Sequence, residues 1–359
     1  MMDRRDLAHQ RLANQRISKP TFERPADVVD CLCAVQSQDF AGAKWAVGLR
    51  MRSASDADVE KAFNDGSILR THLLRPTWHF VRPADIRWLL DLTAPRIKAL
   101  LAYRHRRLEL DARTLKRTNA ALGKALRDGV ELTRDELRDV LRAAGITSVG
   151  VERMTHIMGW AELDGIVCSG PRRGKQFTYA LLDARAPRAR ALDRDEALAE
   201  LAKRYFQSRG PATVQDLAKW SGLTVADARI GLEEVKQKLR QEVVEGRTYW
   251  LPRGSRPPAS ASPTAYLLSI YDEYISGYKD RSAIVEPEHG AKLVGMGNAL
   301  TSVIVLDGQI VGTWKRRLKS MGMAVETNFF DRPTKAGKQA VATAARRYGR
   351  FLGLPVTLR

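Results

Sequence analysis

Cysteine is scarce in this chain, and the arrangement of the few cysteines argues against two kinds of structural support. Cys31, Cys33 and Cys168 form an odd set without a Cys-x-x-Cys pair. A disulfide framework and a structural zinc site both require other patterns. The cysteine content is therefore typical of a cytosolic protein.

Long apolar runs are also lacking, as are sequence signals for export or for a cofactor. The first 21 residues are charged and have no apolar centre of the kind that a signal peptide requires. No basic amphipathic membrane anchor is evident. No metal-ligand spacing and no phosphate-binding loop stands out, so we expect neither a metal nor a cofactor. These absences favour a cytoplasmic protein without a membrane partner.

Acidic residues are too few to balance the basic ones, which points to a polyanionic partner. The 359 residues include 60 Lys and Arg against 41 Asp and Glu, so the net charge is +19 and the pI is near 10.1. A soluble protein this basic most often binds DNA or RNA. The alternative is a GC-rich genome, suggested by the many Ala, Arg and Leu residues, which raises the arginine content everywhere.

The first hundred residues follow the plan of a winged helix, in which helices precede a two-stranded ribbon. Apolar residues recur at helical spacing, and Pro25 suits the first position of the second helix. Ser55 suits the cap of a third helix, which ends near Asn64. The predicted elements are helices over 4–17, 25–36 and 56–64 and strands over 68–74 and 77–81.

The same plan recurs in the next segment, where it ends in a basic hairpin. Helices are predicted over 111–128, 136–144 and 151–164, the second opened by a capping box from Thr133 to Glu136. Strands over 166–169 and 177–181 flank a tip that carries Arg172, Arg173 and Lys175. Projecting cations of this kind suit DNA phosphates or a groove. An ordinary solvated turn is the alternative.

A third copy contains the clearest helix-turn-helix pattern. Helices over 195–207, 213–223 and 224–239 precede a small wing around Gly246. Its third helix carries Asp227, Glu233 and Glu234 and is acidic for a surface that faces phosphates. We therefore expect this copy to act mainly as a scaffold.

The last hundred residues are richer in strand patterns. Residues 252–263 are rich in Pro, Ser and Gly and predict a linker. Strands are predicted over 265–270, 302–306 and 309–319, with a hairpin turn at Asp307-Gly308, and a closing helix over 335–352. The whole pattern predicts an α+β fold of three winged-helix modules, 1–108, 109–190 and 191–255, and a strand-rich, barrel-like module, 256–359.

Gln36 and Gln38 stand two residues apart at the end of an apolar helical pattern. A primary amide neither gains nor loses a proton near neutral pH, but it offers one acceptor oxygen and two donor hydrogens. Such a pair can hold a water molecule without deprotonating it, so its substrate must already carry an activated leaving group. An alkylated, cationic purine leaving deoxyribose meets this requirement. Glutamines that cap a helix or face water are the alternative.

These features together resemble the winged-helix DNA glycosylases of the AlkZ and YcaQ type, over nearly the whole chain. Such enzymes excise alkylated bases and can unhook interstrand crosslinks. The resemblance rests on several blocks in the same order: Ala34–Asp39, Arg75–Val81, Gly170–Gln176 with Thr178–Leu181, Arg209–Thr213, Asp272–Tyr274, Gly277–Arg281, and Asp307-Gly308 with Val311–Trp314.

The resemblance implies three winged helices around a C-shaped basic cleft and a Gln-x-Gln catalytic pair at Gln36 and Gln38. This is the AlkZ-like form, since the YcaQ-like form has a carboxylate at the second position. The implied reaction is monofunctional hydrolysis of N7-alkylguanine, including crosslinks and bulky adducts, in base excision repair. The implied partner is double-stranded DNA that carries alkylated or crosslinked bases, bound by a monomer at the bacterial nucleoid.

Two further residues are candidates to assist the glutamines. Asp39 could act as a base, or it could cap a helix over 42–49. His79, on the first wing, could contact the lesion or the DNA backbone, or it could be a hydrogen-bonded structural histidine. A transcription regulator with no catalysis is the competing function, since charge and helix-turn-helix patterns do not exclude it.

Overall fold

The protein mixes helices with small, mainly antiparallel sheets, so the expected α+β class is confirmed. The computed structural model describes residues 2–146, 150–187, 189–255, 263–295, 301–319 and 322–359. Most of the linker predicted over 252–263 therefore lies outside the described residues. Among the described helices, none is both long and apolar enough to cross a membrane.

The first unit packs helices around a three-stranded antiparallel sheet in the order β1-β3-β2. Capping boxes at Asp3 and Ser55 start two of the helices, because each side chain accepts a hydrogen bond from the backbone three residues later. The elements are α1 Arg4–Asn14, α2 Pro25–Leu32, β1 Val35–Gln36, α3 Phe40–Gly48, α4 Asp56–Asn64, β2 Leu69–Leu73, β3 Thr77–Val81 and α5 Ile86–Arg107.

One prediction in this unit is wrong in a way that matters for function. The helix expected over 25–36 ends at Leu32, where Cys33 adopts a φ of +65° and turns the chain. The left-handed conformation is unfavourable for a residue with a side chain, so the surrounding contacts must stabilise it. The next residues form β1, which pairs with β3 instead of extending the helix.

The second unit repeats the arrangement with its own sheet, in the order β4-β6-β5. The capping box from Thr133 to Glu136 is confirmed and begins α7. Its elements are α6 Ala112–Ala125, β4 Leu132–Thr133, α7 Arg134–Ala143, α8 Val151–Leu163, β5 Val167–Ser169, β6 Thr178–Leu181 and α9 Leu182–Arg185.

The third unit has three helices followed by a two-stranded ribbon, as expected. Thr213 and Thr224 both form capping boxes at the starts of the helix-turn-helix pair. Its elements are α10 Arg194–Arg209, α11 Val214–Ser221, α12 Val225–Val235, β7 Leu239–Val244 and β8 Arg247–Pro252.

The C-terminal unit is built on a five-stranded sheet in the order β13-β12-β11-β10-β9. The turn at Asp307-Gly308 and the helix over 335–352 are confirmed. Within the described residues the sheet has β13 and β9 at its edges, so the barrel-like expectation is not met. The elements are β9 Ala265–Leu268, α13 Glu273–Ser276, α14 Pro287–Gly295, β10 Val303–Leu306, β11 Gln309–Lys319, β12 Gly322–Phe329, α15 Lys335–Leu352 and β13 Val356–Leu358.

The buried apolar residues form cores that extend across the predicted module boundaries. One core joins the first unit to the C-terminal sheet, with Trp45 packed near Tyr348 and Phe351. A second joins the first ribbon and α5 to the third unit, while a third lies within the second unit. The division at residues 108, 190 and 255 stays a prediction, and the units are not independent in packing.

Candidate active site

Gln36 lies on an edge strand of the first sheet rather than at a helix end. In the antiparallel pairing of β1 with β3, Gln36 is opposite His79. The Ser37 N–H donates to the Trp78 carbonyl over 2.7 Å and extends this pairing by one residue. The Gln-x-Gln segment is therefore extended backbone fixed to the wing.

The two carboxamides differ in exposure, and a protein donor orients each of them. Gln36 is 7 % exposed, and its Oε1 accepts a hydrogen bond from Arg75 Nη2 over 3.0 Å. Gln38 is exposed, and its Oε1 accepts from the Trp78 N–H over 3.3 Å. Since an amide oxygen has two lone pairs, each glutamine keeps one lone pair and its NH₂ group for a ligand.

A buried ion pair anchors the backbone beneath Gln36. Glu273 is fully buried and accepts from the Gln36 N–H over 2.9 Å through one oxygen. Its other oxygen accepts from Arg209 Nη2 over 2.6 Å and from Trp220 Nε1 over 2.9 Å. Arg209 in turn donates to the Ala34 carbonyl over 3.0 Å. The C-terminal unit and the third unit thus hold β1 in place together.

The environment of Glu273 keeps it ionised. Burial opposes its negative charge, but Arg209 and the Gln36 N–H outweigh burial and lower the pKa of Glu273 below its usual value. Sequence reasoning assigns no role to this residue, although it lies in one of the blocks that carry the family resemblance. A carboxylate in an apolar segment is the signal that could have marked it.

The preceding residue makes a second buried ion pair. Asp272 accepts from Arg50 Nη2 over 2.9 Å, and both side chains are completely buried. Arg50 also donates to Gln15 Oε1 over 2.8 Å. Asp272 and Glu273 therefore connect different parts of the protein, but only Glu273 contacts the Gln-x-Gln segment.

Arg70 supports the segment from the other face of the sheet. Its Nε donates to the Ser37 carbonyl over 3.2 Å, and its guanidinium lies 4.3 Å from the Trp78 ring and 4.8 Å from the Phe177 ring. Burial lowers the pKa of Arg70 to about 10. A pocket of about 320 Å³ opens beside it and is also lined by Lys175. The hairpin of the second unit thus meets the first wing next to Ser37.

Asp39 is exposed and lies directly after Gln38. It occupies the cap position of α3, yet its side chain makes no capping hydrogen bond. The capping alternative therefore does not account for its carboxylate, which stays available to a substrate.

His79 is fully buried, which favours the structural alternative over contact with DNA. Its Nδ1 lies 3.0 Å from the Thr77 carbonyl and must carry the proton, since a carbonyl only accepts. Burial, with a smaller effect from Arg75, lowers the pKa of His79 to about 3. The imidazole is therefore neutral, and its buried Nε2 has no partner within the described residues.

Two of the three hairpin cations form ion pairs with other residues of the protein, Arg172 partly buried and Arg173 at the surface. Arg172 pairs with Glu60 over 3.0 Å, and Arg173 pairs with Glu136 over 2.7 Å. Lys175 is exposed, and no ion pair involves it in the part of the chain that the structure describes. Lys175 is thus the hairpin cation most available to DNA, while the two arginines fasten the hairpin to its neighbours.

The described residues contain no group of three or more His, Cys, Asp or Glu side chains suited to a metal ion. Two larger clefts, of about 980 and 850 Å³, are lined by neither glutamine.

Neutral carboxamides lie beside a basic hairpin in a strongly cationic α+β chain, which is the arrangement that the resemblance to DNA glycosylases implies. The chain belongs to the AlkZ-like DNA glycosylase family, whose sequence profile matches residues 29–351. The predictions of this family and of a DNA glycosylase are confirmed.

A solved structure and a described relative that are similar to this chain both come from Streptomyces sahachiroi. The solved structure of its DNA glycosylase AlkZ superposes with a TM-score of 0.81 over all of both chains, at 26 % identity. A relative described as an interstrand DNA cross-link repair glycosylase is 29 % identical over 357 residues, which cover 94 % of this chain and 95 % of the relative.

Proposed function

We propose that this DNA glycosylase hydrolyses the N-glycosidic bond of N7-alkylated guanine in double-stranded DNA. The observation that carries the proposal is the Gln-x-Gln segment, whose backbone is fixed by buried groups while Gln38 is exposed. Neutral amides cannot protonate a leaving base, so they suit a purine that is already cationic. The enzyme acts as a monomer in the bacterial cytoplasm.

The reaction proceeds with Gln36 and Gln38 as catalytic residues that orient the attacking water. The free lone pairs of their amide oxygens accept hydrogen bonds from the water, and its oxygen then bonds to C1′. The electrons of the C1′–N9 bond pass to the purine and neutralise its charge. The exposed carboxylate of Asp39 receives the proton that the water releases. Orientation of this kind supplies a large part of the rate.

Crosslinked guanines extend the substrate range, and the similarity to an interstrand DNA cross-link repair glycosylase supports this extension. A crosslinked base cannot swing freely into a deep pocket, as the bases processed by most such enzymes do. The site here lies on an edge strand, with Gln38 at the surface. An edge of this kind can meet a lesion that stays close to the duplex.

The test is release of N7-methylguanine from duplex DNA under single-turnover conditions, with Gln36→Ala, Gln38→Ala and the double variant. We expect each single variant to be slower by about 100-fold, the usual effect of removing one oriented polar group. Arg142→Ala serves as the control. Arg142 is an exposed cation of the second unit, and it pairs with Asp139 on the same helix rather than with any residue of the Gln-x-Gln segment.

Equal rates for the wild type and the double variant would exclude the roles given to the glutamines. Release of the normal base instead of the methylated one would exclude the proposed substrate. Thermal unfolding of each variant establishes that the comparison is between folded proteins.

A further inference from the structure

Two cations donate hydrogen bonds to the short helix that anchors Gln36, and a third donates to Gln36 itself. The helix α13 has four residues and is about 6 Å long. Glu273 at its start accepts from the Gln36 N–H, as described above. At its end, Lys219 Nζ donates to the Ser276 carbonyl over 2.8 Å, and Arg281 Nε donates to the Ile275 carbonyl over 3.2 Å.

Arg75 completes the set from the turn between β2 and β3, where its Nη2 donates to Gln36 Oε1 over 3.0 Å. We name Arg75, Lys219 and Arg281 the Gln36 cation cluster. Its members come from the first unit, the third unit and the C-terminal unit. All three are partly buried, and each is held by a neutral acceptor rather than by a carboxylate.

The acidic residues near the cluster are occupied by other partners. Glu273 pairs with Arg209, and Asp280 pairs with Arg247. Asp216 accepts from backbone N–H groups, including that of Asp280 over 3.2 Å. Among the described residues, no carboxylate oxygen lies within 4.0 Å of a cation of the cluster.

Burial further destabilises the charged forms of the three side chains in the cluster. It lowers the pKa values of Arg75 and Arg281, and burial together with Arg75 and Arg281 lowers that of Lys219 to about 8. Glu273 and Asp216 oppose these shifts only in part, and partly desolvated cations that repel one another without a carboxylate in direct contact destabilise the free protein. Such a cluster is stabilised by an anion that contacts several cations at once.

We propose that the Gln36 cation cluster binds the phosphodiester groups of DNA next to the lesion nucleotide. A phosphodiester presents oxygens in several directions, which suits two guanidinium forks and one ammonium group. The proposal rests on the proposed function because it takes DNA with a damaged nucleotide as the ligand. It adds a role for residues outside the Gln-x-Gln segment.

A phosphate held here also answers a chemical need of the reaction. The sugar becomes cationic as the purine departs, and the two glutamines have no charge with which to stabilise it. The cluster alone would oppose that cation, whereas bound phosphates place negative charge beside it. By binding phosphates of the substrate, the cluster places their negative charge next to the sugar cation.

The test measures coupling between single phosphates and single cations. The ligand is duplex DNA with a tetrahydrofuran abasic site, in which one phosphate at a time on either side is replaced by a neutral methylphosphonate. We expect the replacement at one position to weaken wild-type binding about 10- to 100-fold, as loss of a charged hydrogen bond does. At that position the same replacement should weaken binding by Lys219→Ala or Arg281→Ala less than threefold.

Lys219→Arg keeps the charge and should keep the full sensitivity to the methylphosphonate. Arg142→Ala removes an equally positive charge from a distant surface and should also keep it. Thermal unfolding shows which variants are folded, and Lys219→Gln, which is neutral and of similar length, takes the place of Lys219→Ala if the alanine variant is not folded. The proposal is overturned if methylphosphonate replacement weakens DNA binding by the same factor in the wild type, Lys219→Ala and Arg281→Ala at every position.

Binding to tetrahydrofuran DNA does not depend on base release, so the two proposals fail separately. If the methylphosphonate effect depends on Lys219 or Arg281 but N7-methylguanine is not released, the proposed substrate is excluded and the phosphate site is retained. If N7-methylguanine is released but the methylphosphonate effect does not depend on these cations, the substrate is retained and the phosphate site is excluded.

Discussion

Glu273 holds the Gln-x-Gln segment without being exposed to a substrate. It is fully buried and links the backbone of Gln36 to Arg209 and Trp220. We therefore regard it as a positioning residue. A shift of about 1 Å in a reacting group can reduce a rate by about 100-fold, so a residue of this kind can control catalysis from the interior.

Glu273→Gln should slow base release by about 100-fold while changing DNA affinity less than about threefold. It should also lower the free energy of unfolding by about 3 kcal/mol, because Arg209 is left buried without its counter-charge. The measurements are single-turnover rates, equilibrium binding to tetrahydrofuran DNA and denaturant unfolding.

Asp272→Asn is a matched control for this variant. It removes the other buried carboxylate and leaves Arg50 uncompensated, but it has no contact with Gln36. A similar loss of stability is expected without the loss of rate. If both variants slow base release equally, the effect of Glu273 is general destabilisation.

Lys219 should make DNA binding dependent on pH. Its pKa is lowered to about 8 by burial, Arg75 and Arg281, against the opposite effects of Glu273 and Asp216. The ammonium is therefore charged below pH 8 and loses its proton as the pH rises through 8. Affinity for tetrahydrofuran DNA should fall between pH 7 and 9, because phosphate binds the charged form.

Lys219→Arg should abolish most of this pH dependence, since a guanidinium stays charged over the whole range. The measurement is a series of binding titrations at constant ionic strength. Identical pH profiles for Lys219→Arg and the wild type would assign the titration to another group.

In the hairpin over 170–176, Lys175 is exposed and makes no ion pair with the described residues, so it is the hairpin cation most available to DNA. Lys175→Ala should weaken DNA binding and reduce the slope of log K against log salt by about 1. Arg173→Ala should change the slope less, because Arg173 is already paired with Glu136. The measurement is a salt titration of both single variants and of the variant in which Arg172, Arg173 and Lys175 are all replaced by alanine. A larger change of slope for Arg173→Ala than for Lys175→Ala would show that Arg173 is the main DNA contact of the hairpin.

The elements also show how far local sequence rules extend. Capping boxes at Thr133 and Thr224 and the turn at Asp307-Gly308 depend on neighbouring residues, so they could be predicted. The end of α2 could not, because the strand that replaces its last turn is fixed by β3, more than forty residues away. The 22-residue helix α5 is not among the predicted elements, and it contains Pro95, a residue that usually interrupts a helix.

The candidate site follows the same division. Gln36 and Gln38 could be selected because paired amides are chemically unusual and because the family resemblance points to them. The pairing of Glu273 with Arg209 could not be predicted, since these residues meet only through tertiary packing. The ion pairs of the hairpin arginines could not be predicted either. Arg172 pairs with Glu60 and Arg173 with Glu136, which lie 112 and 37 residues away in the sequence.

At the scale of the whole molecule, the first and last units form one body. The core that includes Trp45 also includes Tyr348 and Phe351, and Gln36 depends on Glu273. A chain that ends at residue 255 should therefore expose apolar surface, aggregate and show no base release. Expression and gel filtration of the truncated protein check this expectation.

A protease site inserted within residues 256–262 provides the control. Cleavage there leaves in place the buried contacts among the described residues, so the two fragments should elute together and retain base release. Separation of the fragments, or a soluble and active truncated chain, would contradict the shared core.

The contacts that fix the Gln-x-Gln segment involve main-chain atoms. Glu273 accepts from the Gln36 N–H, Arg209 donates to the Ala34 carbonyl, and Arg70 donates to the Ser37 carbonyl. None of these bonds depends on which side chains occupy positions 36 and 38. The scaffold can therefore exchange its reactive groups without refolding, so a lineage could change the lesions it repairs by altering two codons.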